Sequence, residues 1–296
     1  MLEDFIRRSA GLLNPGGRVI MVAVNPLAGF FRERISAETE LIGEETGSGH
    51  TVFVYGGQAR DAAGSCHQDF FSQYPFYARA AVTYAIEGIP IRLETIHGAG
   101  GFDHPGGAAL ASAKLLRHIQ ESRKTAASPA EAAASPKREA APLLIHEPGQ
   151  GFFPCWLLKF LHGETQAKQI PPVVLSGRNI LALYASSHNA GTGRVVPAAD
   201  LQLGTEALLE AAGSRYGCII AFPELLPQSP LPKGTDQLAA LWDALPALLG
   251  EGGVFLAAFS SSDAGRFDRK KTKGFSRLGS VKRHGFRALA YRYNPH

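Results

Sequence analysis

The chain has 296 residues, of which 45% are hydrophobic and 19% are charged, so it can bury a core and is not globally disordered. Its formal net charge of +4 is too small to define a partner unless the charges are clustered. The three cysteines, Cys66, Cys155 and Cys218, form no C-x-x-C pair, which argues against a disulfide framework or a zinc knuckle and fits a reducing cytoplasm.

Neither a signal peptide nor a membrane partner is expected. Acidic residues interrupt the first eight positions, and no apolar stretch approaches eighteen residues. Apolar side chains at helical spacing predict a helix over 2–13, and Asn14–Gly17 ends it before a strand at Arg18–Val24 that we expect to be buried. Further strands are predicted at Thr51–Tyr55 and Ile89–Thr95.

The helix, glycine turn and strand near the N-terminus recur near the C-terminus. A helical pattern over 238–249 is followed by the turn Gly250–Gly253 and a strand at Val254–Phe259. In both places two leucines precede two adjacent glycines at the same spacing. Such units are common, so the recurrence is either a coincidence or the trace of a duplicated domain whose first copy is shortened.

The central segment is rich in small residues. A glycine-rich stretch at 97–107 leads into a predicted helix at 108–120, and residues 121–142 have almost no large apolar side chain, which is typical of a flexible linker or a surface insertion. Beyond it strands alternate with helices, which predicts a parallel sheet covered on both faces, with ligands at the carboxyl ends of the strands. The predicted strands are 143–145, 173–175, 194–197, 217–222 and 254–259, and the predicted helices are 155–161, 180–188, 205–212 and 236–249.

The loop after the first of these strands has the composition of a nucleoside-binding turn. Leu143–Ile145 is followed by Glu147, then by Gly149 and Gly151, and then by the apolar stripe of a helix. Glycines at this point of an α/β sheet let the backbone approach a nucleoside-like ligand and accept positive φ angles. One irregular loop of this kind is a weak signal, so its weight depends on the features around it.

A family resemblance emerges from four segments: Pro15–Asn25 with Gly29, Gly98–Leu110, Glu147–Gly151 and Gly285–Tyr291. They resemble the class I S-adenosylmethionine-dependent methyltransferases, and more narrowly the two-lobed "methyltransferase small domain" enzymes that methylate the exocyclic amine of guanine in ribosomal RNA. The resemblance implies an α/β fold with a doubly wound, mostly parallel Rossmann-like sheet, S-adenosyl-L-methionine as cofactor and RNA as partner. It also implies a shortened, related N-terminal α/β lobe over 1–96, and a catalytic domain over 97–296 that contains the insertion at 121–142 and a basic C-terminal hairpin.

The resemblance implies roles for the residues that follow the strands. Glu147 would pair with the ammonium of the methionine moiety, in a loop formed by Gly149 and Gly151. Glu147 could instead complement the positive end of a helix. Asp200 would accept a hydrogen bond from the adenine amine or cap the next helix, and Asn179 would replace a missing ribose-binding acid or serve as a plain helix cap.

The candidate catalytic residues are Phe222, Pro223 and Glu224, which follow the fourth strand of the second half. An enzyme that methylates a base amine must hold the flipped base, so Phe222 would stack on the base and Glu224 would accept the protons of the amine. Alternatively, these residues form a proline turn that has lost its chemistry.

Histidines also lie near the proposed loops, at His97, His104 and His146. Their spacing matches no metal site, so we expect no metal and interpret them as ordinary loop residues.

The chain departs from the family pattern in ways that keep other hypotheses open. Phe153 stands where the loop usually has a small residue, Gly177 where the second strand usually ends in an acid, and Phe222–Leu225 where the family has Asn-Pro-Pro-aromatic. A catalytically inactive relative that binds RNA or protein is therefore a second hypothesis. A third is an NADP-dependent oxidoreductase, because Arg178 would suit a 2′-phosphate. Phe153 and the basic C-terminal segment disfavour the oxidoreductase.

Cations are clustered near the C-terminus. Asp268 is the only acid in the segment 266–292, and aromatic residues are interleaved with the cations, at Phe267, Phe275, Phe286 and Tyr291. This combination fits a phosphate backbone with unpaired bases, although a solvated hairpin is the alternative. The predicted RNA-binding residues are Arg266, Arg269, Lys270, Lys271, Lys273, Arg277, Lys282, Arg283 and Arg287.

Overall fold

The computed structural model describes residues 2–11, 13, 16–56, 77–99, 103–126, 141–165, 171–191, 193–198, 200–223 and 236–295. The chain divides into two compact units, Met1–Phe76 and Tyr77–His296. By its contacts the segment 77–96 therefore belongs to the second unit, whereas the lobe boundary predicted after residue 96 stays a prediction about ancestry and function. No helix in the described segments combines the length and the apolar character needed to cross a membrane.

The first unit is a small α/β layer. Its described elements are α1 (Leu2–Gly11), β1 (Arg18–Val24), α2 (Ala28–Glu38), β2 (Glu40–Thr46) and β3 (His50–Gly56). The three strands form an antiparallel sheet of order β1-β3-β2, and both helices pack on one face of it, where Ile6, Ile35 and Phe53 are fully buried. On the other face Ile20 and Val22 are 69% and 59% exposed, so the expectation of a buried first strand is wrong. Among the described residues, helices cover only one face of this sheet, and side chains of alternate positions point to the other face.

The second unit contains a seven-stranded sheet of order β11-β12-β10-β9-β6-β7-β8. The five adjacent strands β8, β7, β6, β9 and β10 are parallel to one another. Strand β12 is antiparallel to both of its neighbours, β10 and β11. The predicted α/β, doubly wound and mostly parallel sheet is thereby confirmed. Its elements, with the separate antiparallel hairpin of β4 and β5, are β4 (Ala78–Ile86), β5 (Ile89–Ile96), α3 (Gly107–Ala126), β6 (Leu143–His146), α4 (Phe152–Thr165), β7 (Val173–Gly177), α5 (Ile180–Ala190), β8 (Arg194–Pro197), α6 (Thr205–Ala212), β9 (Tyr216–Ala221), α7 (Gln237–Leu248), β10 (Leu249–Ser260), α8 (Ser261–Arg269), β11 (Phe275–Arg283) and β12 (Phe286–Tyr293).

Two cores lie on the two faces of this sheet. In β6, Leu143 and Ile145 pack with α3 and α4, whereas Leu144 packs on the opposite face with α6 and α7. Successive side chains of a strand point to opposite faces, so a strand that is apolar at every position needs helices on both. The fully buried Trp156 and Trp242 lie in one core each.

Among the boundaries that differ from the sequence-based prediction, two change the description of a predicted segment: the insertion and the glycine turn. Helix α3 continues to Ala126, so the first six residues of the predicted insertion 121–142 are helical, and residues 127–140 lie outside the described part of the chain. Strand β10 begins at Leu249 and includes the glycines predicted to form a turn. Its parallel register with β9 jumps between Leu249 and Val254, so an irregularity absorbs the extra residues within the strand.

The order of the strands creates a crevice at the first strand of the sheet. The chain proceeds from β6 to β7 and β8 on one side, then crosses to β9 and β10 on the other. Ligands of open α/β sheets bind at such a switch point, outside the carboxyl ends of the strands. The candidate site therefore lies where β6 and β9 end, at His146 and Ala221.

Candidate functional site at the carboxyl edge of the sheet

Glu147 directly follows β6, and its carboxylate reaches across to the end of β7. Its Oε1 accepts two hydrogen bonds from Arg178, one from the backbone N at 3.1 Å and one from Nε at 2.7 Å. A Cβ at Gly177 would lie 3.0 Å from Glu147 Oε2, so the glycine leaves space for this carboxylate. The structure thus supplies Glu147 with a cation from within the chain, a contact that the sequence did not predict.

The two glycines of the loop have different environments. Gly149 has a φ of +60°, and a Cβ built there would meet nothing within 4 Å, so its backbone borders open space. Gly151 has a φ of +108°, and a Cβ there would lie 3.1 Å from Ser186 Cα and 3.2 Å from Asn189 Cβ on α5. Gly149 therefore leaves room for a ligand to approach the backbone, whereas Gly151 permits close packing of the loop on a helix.

The loop is fastened by the amide side chains of Gln150 and Asn189. The Gln150 side chain is 1% exposed, and its Oε1 accepts a hydrogen bond from Ile96 N at 2.7 Å. Asn189 Nδ2 donates to Gln150 O at 2.9 Å and to Glu94 O at 2.8 Å, and Asn189 Oδ1 accepts from Glu94 N at 2.8 Å. These contacts join the loop to α5 and to the hairpin of β4 and β5. No sequence pattern pointed to Gln150 or Asn189, because their partners are distant in the chain.

His146 is the last residue of β6 and is 5% exposed, so its interpretation as an ordinary loop residue is wrong. Its Nδ1 lies 3.3 Å from the Oγ of the buried Ser176 on β7. Burial lowers the pKa of His146, and the charges of Glu147 and Asp200 oppose that shift. A neutral imidazole therefore lies under the charged rim of the site.

Asn179 and Asp200 both make structural hydrogen bonds within the chain. Asn179 caps α5: its Oδ1 accepts from Ala182 N at 3.2 Å, while its Nδ2 donates to Gly98 O at 2.9 Å. Asp200 Oδ1 accepts from Gln202 N at 2.7 Å in a turn before α6. Asp200 is not the cap of α6, because the cap position is Gly204 and carries no side-chain hydrogen bond.

The candidate catalytic residues are only partly described. Phe222 and Pro223 follow β9 and are partly exposed, whereas Glu224 lies outside the described residues. The ring of Phe222 packs edge-on against Phe153 with their centroids 5.0 Å apart. Phe153 is 1% exposed and also packs on Trp156 at 5.5 Å. The large residue in the loop motif is thus part of the core beneath Phe222.

Ion pairs occupy part of the predicted RNA-binding set. Arg266 pairs with Asp263 at 3.2 Å, Lys270 with Asp236 at 2.8 Å, and Arg277 with Asp268 at 3.0 Å. Arg283 pairs with Glu87. Three of these acids lie outside the segment 266–292, which is why the sequence window looked almost free of acids. The predicted cations for which the described chain shows no acidic partner are Arg269, Lys271, Lys273, Lys282 and Arg287.

The aromatic residues of the basic segment do not form a stacking surface. Phe267, Phe275 and Tyr291 are at most 5% exposed and pack around Trp242, and Phe286 packs against the opposite core. The interpretation of Phe267, Phe275 and Tyr291 as contacts for unpaired bases is therefore wrong. In the C-terminal hairpin of β11 and β12, aromatic residues alternate with cations because successive side chains of a strand point to opposite faces.

Comparisons with known proteins give structural similarity without sequence similarity. No family model and no curated protein matches the sequence. A 16S rRNA N2 G1207 methyltransferase of T. thermophilus, solved with AdoMet and guanosine, has a TM-score of 0.49 and 16% identity and covers 99% of this chain and 69% of its own. TrmN of Thermus thermophilus has a TM-score of 0.39 and 16% identity and covers 59% of this chain, which spans about half (48%) of TrmN.

A third similar structure is the rRNA methyltransferase aviRa of Streptomyces viridochromogenes, with a TM-score of 0.38, 14% identity and coverage of 66% of this chain and 88% of its own. The names of these structures agree with the family that the sequence resembles. At such identities and TM-scores they carry no weight for activity or substrate, which must be argued from the chain's own residues. Within the described ranges, no group of three or more metal-ligating side chains occurs.

Proposed function

We propose that the second unit binds S-adenosyl-L-methionine at the crevice between β6 and β9 and transfers its methyl group to the exocyclic amine of guanine in ribosomal RNA. The observation that carries this proposal is the loop from Glu147 to Gly151. It lies at the switch point of the sheet, is fastened through Gln150, and exposes backbone to open space at Gly149.

The groups at this loop fit a bound nucleoside. Glu147 offers a carboxylate whose side chain is 18% exposed, and the positive φ of Gly149 turns the backbone where no side chain blocks a ligand. When bound, the cofactor supplies an electrophilic methyl group on a sulfonium. The chain's task is to hold the base amine in line with that group, because positioning accounts for most of the rate of such a transfer.

The residues after β9 are the ones that would receive the base. Phe222 and Pro223 stand at the end of the strand next to β6, partly exposed, so a flipped guanine can contact them while its amine faces the crevice. The nitrogen gains a methyl group and loses one proton, and we assign acceptance of that proton to Glu224. Asn179 and Asp200 remain proposed cofactor contacts in addition to the local bonds that they make.

RNA is held by the cations that have no acidic partner in the described chain. Arg269, Lys271, Lys273 and Lys282 are exposed and lie on α8, on the turn after it and on β11. Such charges favour phosphates and release counterions when RNA binds.

A catalytically inactive RNA- or protein-binding module is the second candidate. One observation favours it: Phe153 contacts the ring of Phe222 with the centroids 5.0 Å apart, so part of the surface of that ring is already covered. The oxidoreductase hypothesis loses support, because Arg178 is bonded to Glu147 and the last strand of the sheet is antiparallel to its neighbours, unlike the 3-2-1-4-5-6 dinucleotide-binding sheet.

Calorimetry on the full chain with S-adenosylmethionine, S-adenosylhomocysteine and NADPH tests the proposal. We expect saturable binding of the first two ligands and none of NADPH. Methyl transfer is then measured with ribosomal RNA and the labelled cofactor, followed by nucleoside analysis. Binding of S-adenosylmethionine without methyl transfer would favour the inactive module. No detectable binding of any of the three ligands would refute cofactor binding.

A further inference from the structure

Strand β7 ends in a residue without a carboxylate, but the carboxylate of Glu147 lies beside the end of this strand. In nucleoside-binding α/β sheets, an acid that follows the glycine loop by about one βα unit accepts hydrogen bonds from the ribose hydroxyls. In this chain that strand ends in Gly177. Glu147, from the end of the neighbouring strand, places its Oε2 where it would lie 3.0 Å from a Cβ on Gly177.

We infer that Glu147 is the ribose-binding acid of this site, a role that rests on the proposed function and differs from pairing with the methionine ammonium. The close approach of the Glu147 carboxylate to Gly177 supports the idea that Glu147 replaces an acid at position 177. A Cβ at Gly177 would also lie 3.2 Å from Glu147 Cδ, which is tighter than ordinary van der Waals contact. Any side chain at position 177 would therefore displace the Glu147 carboxylate from its observed position, and glycine is the residue that leaves it undisturbed.

The hydrogen bonds of the carboxylate support the same role. Both bonds from Arg178 go to Oε1, and within the described chain Oε2 has no hydrogen-bond partner. Arg178 also offsets the negative charge of Glu147, which weakens its attraction for a second cation such as an ammonium. A carboxylate oxygen accepts hydrogen bonds from neutral hydroxyls without needing that charge to be free. A ribose diol is therefore a better partner for Oε2 than an ammonium.

The backbone at Glu147 is consistent with a functional constraint. Its φ of +56° lies in the left-handed region, which is unfavourable for a residue with a side chain. Non-glycine residues in this region cluster at functional sites, where the surrounding structure holds the strain. The same φ suits glycine, so a Glu147→Gly variant removes the carboxylate without imposing backbone strain.

The test compares two ligands that differ in the methionine moiety. S-adenosylhomocysteine contains ribose and the amino acid group, whereas 5′-methylthioadenosine contains ribose and no ammonium. We expect Glu147→Gln to weaken the binding of both ligands by a similar factor, about tenfold or more, because a charged acceptor is lost. The control Asp243→Asn removes one negative charge from an exposed position on α7 and should leave both affinities unchanged.

A second experiment moves the carboxylate from position 147 to position 177. In the background of Glu147→Gly, the added substitution Gly177→Asp should recover affinity for both ligands, because it returns a carboxylate to the end of β7. Weaker binding of S-adenosylhomocysteine alone, with unchanged 5′-methylthioadenosine affinity, would overturn the ribose role and assign Glu147 to the ammonium. If the unaltered protein binds neither ligand, the proposed function itself fails, and the inference fails with it.

Discussion

Alanine at Gly151 should destabilise the second unit far more than alanine at Gly149, two residues earlier in the same loop. At Gly151 the new Cβ would lie 3.1 Å from Ser186 Cα and 3.2 Å from Asn189 Cβ, neither of which can rotate away. Overpacking of this kind costs about 1–3 kcal/mol, and the φ of +108° adds about 1–3 kcal/mol of backbone strain. We therefore expect a loss of about 2–6 kcal/mol.

Gly149→Ala is the matched control. Its φ of +60° is also positive, but no heavy atom lies within 4 Å of the added Cβ, so only the left-handed backbone is penalised, by about 1–2 kcal/mol. Urea unfolding followed by tryptophan fluorescence reports on the second unit alone, because both tryptophans, Trp156 and Trp242, belong to it. A loss for Gly151→Ala that is no greater than the loss for Gly149→Ala would refute the assignment of Gly151 to helix packing.

Gly149→Val should abolish binding of S-adenosylhomocysteine in calorimetry while the far-UV circular dichroism spectrum stays unchanged, because the branched side chain occupies the open space beside the loop. Replacing Lys271 and Lys273 with Gln should weaken RNA binding and reduce the slope of log affinity against log salt by about 1.5, measured by fluorescence anisotropy. For His146, burial lowers the pKa, so the unfolded chain accepts a proton that the folded chain resists. Its contribution to stability is complete above about pH 6.5 and is lost as pH falls below that value, at up to about 1.4 kcal/mol per pH unit, so His146→Asn should flatten the pH dependence of the unfolding free energy.

For each of these three predictions, one result would contradict the reasoning. Full cofactor affinity in Gly149→Val would remove the loop from the site. Lys270→Gln is the control for RNA binding, because Lys270 already pairs with Asp236 at 2.8 Å and should contribute less. Equal slopes for the control and the double variant would argue against selective use of the unpaired cations. Identical pH dependence with and without His146 would mean that another group dominates acid destabilisation.

The sheet of the second unit could be predicted because its signal is local. Runs such as Leu143–Ile145 and Val254–Phe259, separated by helical patterns, follow from apolar periodicity within a few residues. Strand order along the chain then limits the topologies. The first unit was predicted poorly, since α2 and β2 were missed and β1 is exposed on one face. An apolar strand looks the same in sequence whether one face or both faces are covered.

The candidate site was predicted in its location but not in its contacts. The sequence placed Glu147, Gly149 and Gly151 after the first strand, and they lie at the carboxyl edge. It did not predict that Arg178 would bind Glu147, or that the two glycines would differ. Partners of a side chain depend on elements that are adjacent in space and remote in the chain.

The basic segment illustrates the same limit. Its charge count was correct, but the acids that pair with four of its cations include Asp236 and Glu87, which lie 34 and 196 residues from their partners in the chain. Its buried aromatic residues are core residues, because Phe267 of α8, Phe275 of β11 and Tyr291 of β12 all pack on Trp242.

By itself, the sequence determined that the second half of the chain is an alternating α/β sheet with a glycine loop after its first strand, because secondary structure follows from side-chain periodicity over a few residues. Only the tertiary structure decided which cations have no acidic partner among the described residues, which glycine leaves room for a ligand, and where the Glu147 carboxylate lies. Those properties depend on distances of 3–4 Å between segments far apart in the chain, and no local pattern encodes them.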